Sequence, residues 1–214
     1  MKLVVVSPPD DRQDEREICR ALFHAGLKRY HLRKPWTQAV TSAWLLSLPR
    51  DWRLRIILHT HHGLAQPLGA GGVHFRDDKD APESPPIIGR FTSRSCHDVK
   101  TVQAALGRYP AILVGPVFTS HSKPGYGPMP EPERAQLSTM LVARTPVQRT
   151  TEVIAIGGIS TPVLGECSAL GFDGAAVLGA LWDAPDPVAA FVDLSAAAAE
   201  HTTPSTEGKR KSSP

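Results

Sequence analysis

The sequence predicts an α/β protein folded as a compact (β/α)8 TIM barrel. Short apolar segments alternate with longer segments of helical periodicity, and eight such pairs fit within 214 residues. Alternation of this kind is typical of parallel strands joined by helices, and eight units are the number that closes a barrel. An open, doubly wound sheet built from the same units is the alternative fold.

Each predicted strand is an apolar run that stops at a polar residue, a glycine or a proline. Residues 112–117 show the pattern with Ile112 to Val114, a Gly-Pro break and then Val117, and an apolar run that stops in a polar loop is typical of a buried parallel strand. The predicted strands are residues 2–7, 28–33, 54–59, 71–75, a fifth that starts at 87–89, 112–117, 153–156 and 172–178.

The segments between these strands have helical patterns. Residues 14–25 place Ile18 and Leu22 on one face, and Gly26 is a suitable stop. Pro162 stands where a helix begins, a position that needs no backbone N–H. The predicted helices are 14–25, 37–48, a short helix or turn at 61–68, 97–106, 131–143, 161–170 and 187–200.

The composition indicates one globular domain over residues 1–200. Hydrophobic residues make up 41% and charged residues 21% of the chain, which excludes general disorder. Residues 201–214 lack large apolar side chains and carry Lys209, Arg210 and Lys211, so they are predicted to be a disordered basic tail.

The charge pattern and the cysteines indicate a cytoplasmic protein that binds small molecules. The net charge is only +3 and no basic stripe with aromatics occurs, so nucleic acid is not the expected partner. No apolar run reaches the roughly 20 residues of a membrane span. Three scattered cysteines are typical of a reducing compartment. A homo-oligomer is compatible with the sequence.

Two loops predict a site for phosphate groups at the barrel mouth, where the carboxyl ends of the strands meet. The loop after the sixth strand carries Ser120, Ser122 and Lys123. Gly157 and Gly158 follow the seventh strand and Gly179 the eighth, where such barrels commonly bind phosphate through backbone amides. An ordinary polar loop and tight turns are the alternatives.

Basic and imidazole side chains also concentrate at the predicted strand ends. Arg33 is expected to meet a phosphate, or else to form a salt bridge with Asp77 or Asp78. His59 and His61 are two positions apart, a spacing that can bind zinc, and a lone imidazole can transfer protons. The six histidines at strand ends or following loops are His31, His59, His61, His74, His97 and His121.

These motifs together resemble the thiamine phosphate synthase family, which includes the TenI-like thiazole tautomerases. The resemblance covers residues 3–183 and is carried by five blocks in the same order and spacing. The blocks are HLR at 31–33, GVHF at 72–75, GPVFTSHSKP at 115–124, AIGGI at 155–159 and GFDGAAVLGA at 171–180.

The resemblance implies a (β/α)8 enzyme of thiamine biosynthesis, which joins hydroxymethylpyrimidine diphosphate to thiazole phosphate and releases diphosphate. By position, the substrate-binding residues are His31, Arg33, Ser120, Ser122, Lys123, Gly157, Gly158 and Gly179. Lys123, His59 and His121 are the catalytic candidates. The implied cofactor is Mg²⁺, with Asp77 and Asp78 as its ligands.

The chain departs from the family pattern at four strand ends. His31 stands where the family has glutamine, and the second basic residue of the family's Gln-x-Arg-x-Lys pattern is displaced to Lys34. His59-Thr60 stands where the family has Asn-Asp, and Arg76-Asp77-Asp78-Lys79 where it has Gly-Gln-x-Asp. Pro116 stands where the tautomerases have a catalytic histidine, so His121 or another mouth histidine would have to replace it. A tautomerase with a histidine acid/base and a noncatalytic binder of thiazole or thiamine phosphates are the alternative functions.

Overall fold

The computed structural model describes residues 1–77, 90–119 and 127–201, and within them eight parallel strands close into a barrel in sequence order. The last strand pairs with the first, Ala175 lying opposite Leu3, so the sheet is closed. The strands are β1 (Lys2–Val6), β2 (Tyr30–Leu32), β3 (Ile56–Leu58), β4 (Gly72–Phe75), β5 (Phe91–Cys96), β6 (Ala111–Val114), β7 (Glu152–Ile156) and β8 (Gly174–Val177). The predicted (β/α)8 barrel is therefore confirmed.

The helices pack outside the strands as predicted. They are α1 (Glu15–His24), α2 (Gln38–Leu46), α3 (Arg50–Arg53), α4 (Ala65–Leu68), α5 (Val99–Ala105), α6 (Glu131–Val142), α7 (Leu164–Ala169), α8 (Gly179–Trp182) and α9 (Pro187–Glu200). Three 3-10 turns occur at His62–Leu64, Gln148–Thr150 and Thr161–Val163. The one-turn helices α3 and α8 were not predicted, because four residues are too few to show a helical period.

The fifth strand occupies residues later in the chain than those predicted for its start. Residues 87–89 lie outside the described part of the chain, and β5 consists of the mostly polar Phe91–Cys96. Arg94 therefore lies within the strand and not beyond its end. The apolar pattern missed this strand because much of its barrel-facing surface is polar.

The interior of the barrel has an apolar half and a polar half. Successive side chains of a strand alternate between the interior and the surrounding helices. On one side, a separate apolar cluster fills the interior: Val4, Val6, Leu113, Ile154 and Ala176. Along β2 and β4, Tyr30, Leu32 and Val73 belong instead to the core between strands and helices. The alternate positions His31 and His74 therefore point into the barrel.

The predicted tail falls on residues that the structure does not describe, apart from His201 at the end of α9. Within the described ranges, no helix has the length and apolar character needed to cross a membrane.

Candidate active site

Three imidazoles converge at the carboxyl ends of β2, β3 and β4. Each of His31, His59 and His74 offers a ring nitrogen, and these three atoms lie within 4.8 Å of one another. The side chains are buried, with His31 0%, His59 9% and His74 1% exposed. β3 and β4 pair in parallel with Leu58 opposite Val73, so the next residues, His59 and His74, lie side by side. On β2, His31 lies opposite Ile57, two residues before His59 and therefore on the same face of the sheet.

Hydrogen bonds and ring contacts hold this histidine cluster together. Nδ1 of His31 lies 2.9 Å from Nε2 of His59, and the rings of His59 and His74 stack with centroids 4.1 Å apart. His74 also contacts two serine hydroxyls of β5, Nδ1 with Ser93 Oγ and Nε2 with Ser95 Oγ, each at 2.8 Å. Nε2 of His31 is buried and has no hydrogen-bond partner in the described part of the chain.

The three imidazoles are neutral at pH 7. Burial lowers the pKa of His31 and His59 well below the ordinary value, and the neighbouring histidines add to the effect. Burial likewise lowers the pKa of His74 to about 3. The ring nitrogens without a proton therefore keep their lone pairs and can accept a proton or bind a metal.

Arg33 follows β2 beside this cluster, and Ser7 at the end of β1 holds its backbone. The backbone N–H of Arg33 donates to Ser7 Oγ at 2.8 Å, and Ser7 Oγ donates to the Arg33 carbonyl at 3.2 Å. Burial lowers the pKa of the Arg33 guanidinium, and Arg76 adds a second positive charge. Among the described residues no carboxylate pairs with Arg33, and Asp77 pairs with Arg94.

The next residue, Lys34, is committed to a buried ion pair. Its ammonium lies 2.5 Å from Oε2 of Glu15 in α1, and both side chains are almost fully buried. The Tyr30 hydroxyl donates to Oε1 of Glu15 at 2.8 Å, and Lys34 also donates to the Asp10 carbonyl. Lys34 therefore does not replace the displaced basic residue of the family pattern.

The structure overturns the alternative in which Arg33 pairs with Asp77. The Asp77 carboxylate instead accepts a hydrogen bond at 2.7 Å from Arg94, which reaches it from β5. The partner is different because Arg94 lies within β5, the strand beside β4, opposite Phe75. Asp78 lies outside the described residues.

The structure also does not bring His59 and His61 together as a zinc-binding pair. Nε2 of His61 bonds the Trp36 carbonyl at 2.7 Å, in a backbone conformation with φ of 52°. Their separation by two would place both on one side only in an extended segment, and the left-handed turn at His61 removes that relation. His97 bonds the Gly115 carbonyl at 2.6 Å and thereby joins β5 to the loop after β6.

The loop after β6 packs directly on the glycine turn after β7. The N–H groups of Val117 and Phe118 donate to the carbonyls of Ile156 and Gly157 at 3.0 and 3.1 Å. Gly157 and Gly158 have φ of +93° and +68°, and a Cβ on Gly158 would lie 2.4 Å from the Thr119 carbonyl oxygen. Only glycine allows this approach.

Gly179 completes this side of the barrel mouth. It opens α8 immediately after β8, and β8 pairs with β7 with Ala176 opposite Ile156. Gly158 and Gly179 therefore follow neighbouring strands at similar height. The candidates Ser120, His121, Ser122 and Lys123 lie outside the described residues, but Thr119 directly precedes them beside Gly158.

Comparisons with known proteins decide the family. The family model for thiamine monophosphate synthase matches residues 3–181. The chain belongs to this family. The thiamine-phosphate synthase of Bordetella pertussis is 30% identical over 202 residues, which cover 88% of this chain and 90% of that protein. The thiamine-phosphate synthase of Geobacillus thermodenitrificans is 31% identical over 206 residues, covering 92% and 90%.

Solved structures of the family have the same barrel. The thiamine phosphate pyrophosphorylase of Bacteroides thetaiotaomicron matches with a TM-score of 0.72 at 30% identity, covering 93% of this chain and 98% of that one. The fold is also shared with the thiamine phosphate pyrophosphorylase of Pyrococcus furiosus, with a TM-score of 0.72 at 20% identity. The predicted family, fold and assignment to thiamine phosphate synthase enzymes are confirmed.

Sequence reasoning found His31 and His59 as site candidates in this family member but not the full cluster. His74 was noted at a strand end without a role, and Ser93 and Ser95 were not noted. The available signal was a polar residue between Val73 and Phe75 in an apolar strand, which predicts an inward-facing imidazole.

Proposed function

We propose that the protein is a thiamine phosphate synthase that joins hydroxymethylpyrimidine diphosphate to thiazole phosphate and releases diphosphate. The observation that carries this proposal is the family match over residues 3–181. It is supported by relatives of that name, about 30% identical over nearly the full chain. The substrates are small phosphorylated molecules, and the site is the mouth of the barrel.

The diphosphate is bound by cations and hydroxyls on two sides of the mouth. Arg33 supplies a half-buried charge without a described carboxylate partner, and Ser7 orients its backbone. Ser120, Ser122 and Lys123 supply two hydroxyls and an ammonium from the loop after β6. Loss of diphosphate moves negative charge onto the leaving group, so the Lys123 ammonium would stabilise the transition state more than the bound substrate.

The phosphate of the thiazole substrate is bound by backbone amides of the loops after β7 and β8. Gly157, Gly158 and Gly179 lie on neighbouring loops, and the lack of a Cβ on Gly158 lets the turn after β7 pack closely against Thr119. Amide groups suit a phosphate because they donate hydrogen bonds without requiring a countercharge. This arrangement would hold the thiazole ring facing the pyrimidine carbon that loses diphosphate.

The described residues do not fit the magnesium ion that the family implies. Mg²⁺ takes oxygen ligands in near-octahedral geometry, whereas the donor atoms clustered at the ends of β2, β3 and β4 are imidazole nitrogens. The Asp77 carboxylate is engaged by Arg94, and Asp78 lies outside the described residues. A requirement for Mg²⁺ stays a prediction, which activity with and without a chelator would test.

His59 and His121 stay candidates for proton transfer. Burial lowers the pKa of His59, so its imidazole is neutral at pH 7 and has a lone pair that can accept a proton. No described contact favours the tautomerase alternative. A cytoplasmic location and a homo-oligomer also stay predictions; the three cysteines are all buried and unpaired, which suits a reducing compartment.

An assay with both substrates tests the proposal. Purified protein, the pyrimidine diphosphate, the thiazole phosphate and Mg²⁺ should yield thiamine phosphate. Lys123→Ala should reduce kcat at least about 100-fold, because one positioned charge in the transition state is worth that much. Lys28→Ala is the matched control, since Lys28 is exposed and precedes β2 at the opposite end of the barrel. No product from the wild-type protein would refute the proposed function.

A further inference from the structure

The histidine cluster has the donor set and the dimensions of a metal site. A tetrahedral zinc site with Zn–N bonds of about 2.0–2.1 Å places its nitrogens about 3.4 Å apart. In the cluster the His31–His59 pair is at 2.9 Å and no separation exceeds 4.8 Å. Ring movements of about 1 Å would therefore bring the three nitrogens to the distances that zinc needs.

The hydrogen bonds leave the cluster with unused capacity. Nδ1 of His31 lies against Nε2 of His59, and the other nitrogen of that ring, the buried Nε2, has no hydrogen-bond partner among the described residues, an arrangement that costs free energy unless something binds there. The imidazole of His74 has one nitrogen that donates to a serine hydroxyl and one that accepts from another. A metal at the accepting nitrogen would displace one hydroxyl and keep the other as the outer partner that fixes the ring, as is usual for histidine ligands.

The ligand type selects the class of metal. Three neutral imidazoles without a carboxylate suit zinc and other late first-row ions and do not suit Mg²⁺ or Ca²⁺. Within the described ranges the group of three contains no acidic residue. We propose that His31, His59 and His74 form a binding site for a divalent transition metal of the zinc class. This proposal concerns metal binding alone and does not rest on the synthase activity.

The charges around the cluster determine what completes the coordination. Arg33 and Arg76 both act on His74, so a divalent cation there would be in a positive environment. Three histidine ligands leave one tetrahedral position open. An anionic oxygen at that position would offset the charge of the metal and of Arg33. The open position therefore takes hydroxide or a phosphate-type oxygen.

Metal binding by the full-length chain, purified without a histidine tag, tests this inference. The protein is stripped with a chelator, dialysed and titrated with Zn²⁺, and the bound metal is counted by mass spectrometry. Co²⁺ is used as a second probe because tetrahedral coordination by nitrogen gives it intense visible absorption. We expect one Zn²⁺ per chain and a tetrahedral Co²⁺ spectrum.

Two variants with family-type residues identify the ligands. His59→Asn and His31→Gln introduce amides that the family pattern has at these positions, so each retains a polar group of similar size. Loss of an outer partner alone costs 10- to 100-fold in metal affinity, so loss of a ligand should weaken Zn²⁺ binding roughly 100-fold or more. His24→Ala is the control, since His24 is exposed on α1 and should bind Zn²⁺ like the wild type.

Thermal unfolding with and without Zn²⁺ gives a readout that does not depend on activity. The metal should raise the Tm of the wild type and of His24→Ala but not that of either ligand variant. Wild-type protein that retains no Zn²⁺ after dialysis would overturn the proposal. Zn²⁺ affinity unchanged in both His59→Asn and His31→Gln would also overturn it, by placing the metal elsewhere. If one of these two variants does not fold, the other one is used alone, because either substitution removes a ligand.

Discussion

The buried ion pair between Lys34 and Glu15 allows a test of whether Lys34 stabilises the fold or contacts substrate. Lys34 and Glu15 are 3% and 2% exposed, and the ammonium lies 2.5 Å from the carboxylate. Lys34→Met keeps the length of the side chain and removes the charge. Glu15 then retains the hydroxyl of Tyr30 at 2.8 Å but loses its only ion-pair partner among the described residues.

The expected loss of stability at pH 7 is about 3 kcal/mol. Removing one partner of a buried pair typically costs about 3–5 kcal/mol. Glu15 can escape this cost by taking up a proton. From its ordinary pKa of 4.5, protonation at pH 7 costs at most about 3.4 kcal/mol at 1.36 kcal/mol per unit. For a chain of this length the loss corresponds to a Tm lower by about 9 °C.

The loss should depend on pH with a defined sign. Burial raises the pKa of Glu15 above its ordinary value, and Lys34 and Tyr30 partly offset the rise. In Lys34→Met the folded pKa rises further. A carboxyl whose folded pKa is raised is without penalty below its unfolded pKa and destabilises the fold as pH rises. The difference between variant and wild type should therefore shrink from pH 7 toward pH 5.

Urea unfolding at pH 7 and pH 5 measures this difference, and steady-state kinetics measures substrate binding. We expect an unchanged KM for the pyrimidine diphosphate at a temperature where the variant is folded. Lys100→Met, at an exposed position of α5, is the control and should change neither quantity. The reasoning is refuted if Lys34→Met keeps wild-type stability at pH 7, or if KM rises at least tenfold, since Lys34 would then contact substrate.

Three further predictions follow from the contacts around the barrel. Ser7→Ala removes both hydrogen bonds to the backbone of Arg33. The KM for the pyrimidine diphosphate should therefore rise roughly tenfold, which corresponds to about 1.4 kcal/mol of binding free energy. An unchanged KM would show that Ser7 does not position the guanidinium. Gly158→Ala should weaken thiazole phosphate binding at least about tenfold in calorimetric titration, because the new Cβ would lie 2.4 Å from a carbonyl oxygen. Gly69→Ala is the control: Gly69 has a similar φ of +71° and no atom within 4 Å of the Cβ position, so the variant should lose only about 1–2 kcal/mol of stability in urea unfolding. Arg144→Lys should lower the free energy of unfolding in urea by about 2–3 kcal/mol, because the buried guanidinium donates to three carbonyls and one carboxylate that an ammonium cannot all reach. A loss below about 0.5 kcal/mol, the level of ordinary surface substitutions, would contradict this prediction.

The positions of the glycine turns could be predicted from the sequence. Gly157 and Gly158 directly follow the apolar run of β7, and Gly179 follows β8, so chain order alone places them at one end of the barrel. The two strands that these glycines follow, β7 and β8, are consecutive in the chain and neighbours in the barrel. A parallel barrel converts order along the chain into position around the mouth, which made these residues predictable.

The partners of the charged residues could not be predicted in the same way. Lys34 and Glu15 are separated by a helix and a strand, and Asp77 meets Arg94 only because β5 is made of Phe91–Cys96. Choosing among several acidic partners depends on side-chain direction and on the register of neighbouring strands. Neither quantity is encoded in a local pattern of polar and apolar residues.

By itself, the sequence determined the barrel class, the order of its strands and the glycine turns, because periodicity, strand length and positive-φ positions are local properties of the chain. Only the tertiary structure decided that His31, His59 and His74 form one cluster. Their convergence depends on the register of three paired strands, which puts His59 beside His74 and His31 two residues earlier on the same face. Closure of the sheet then buries the imidazoles, and burial keeps them uncharged beside Arg33.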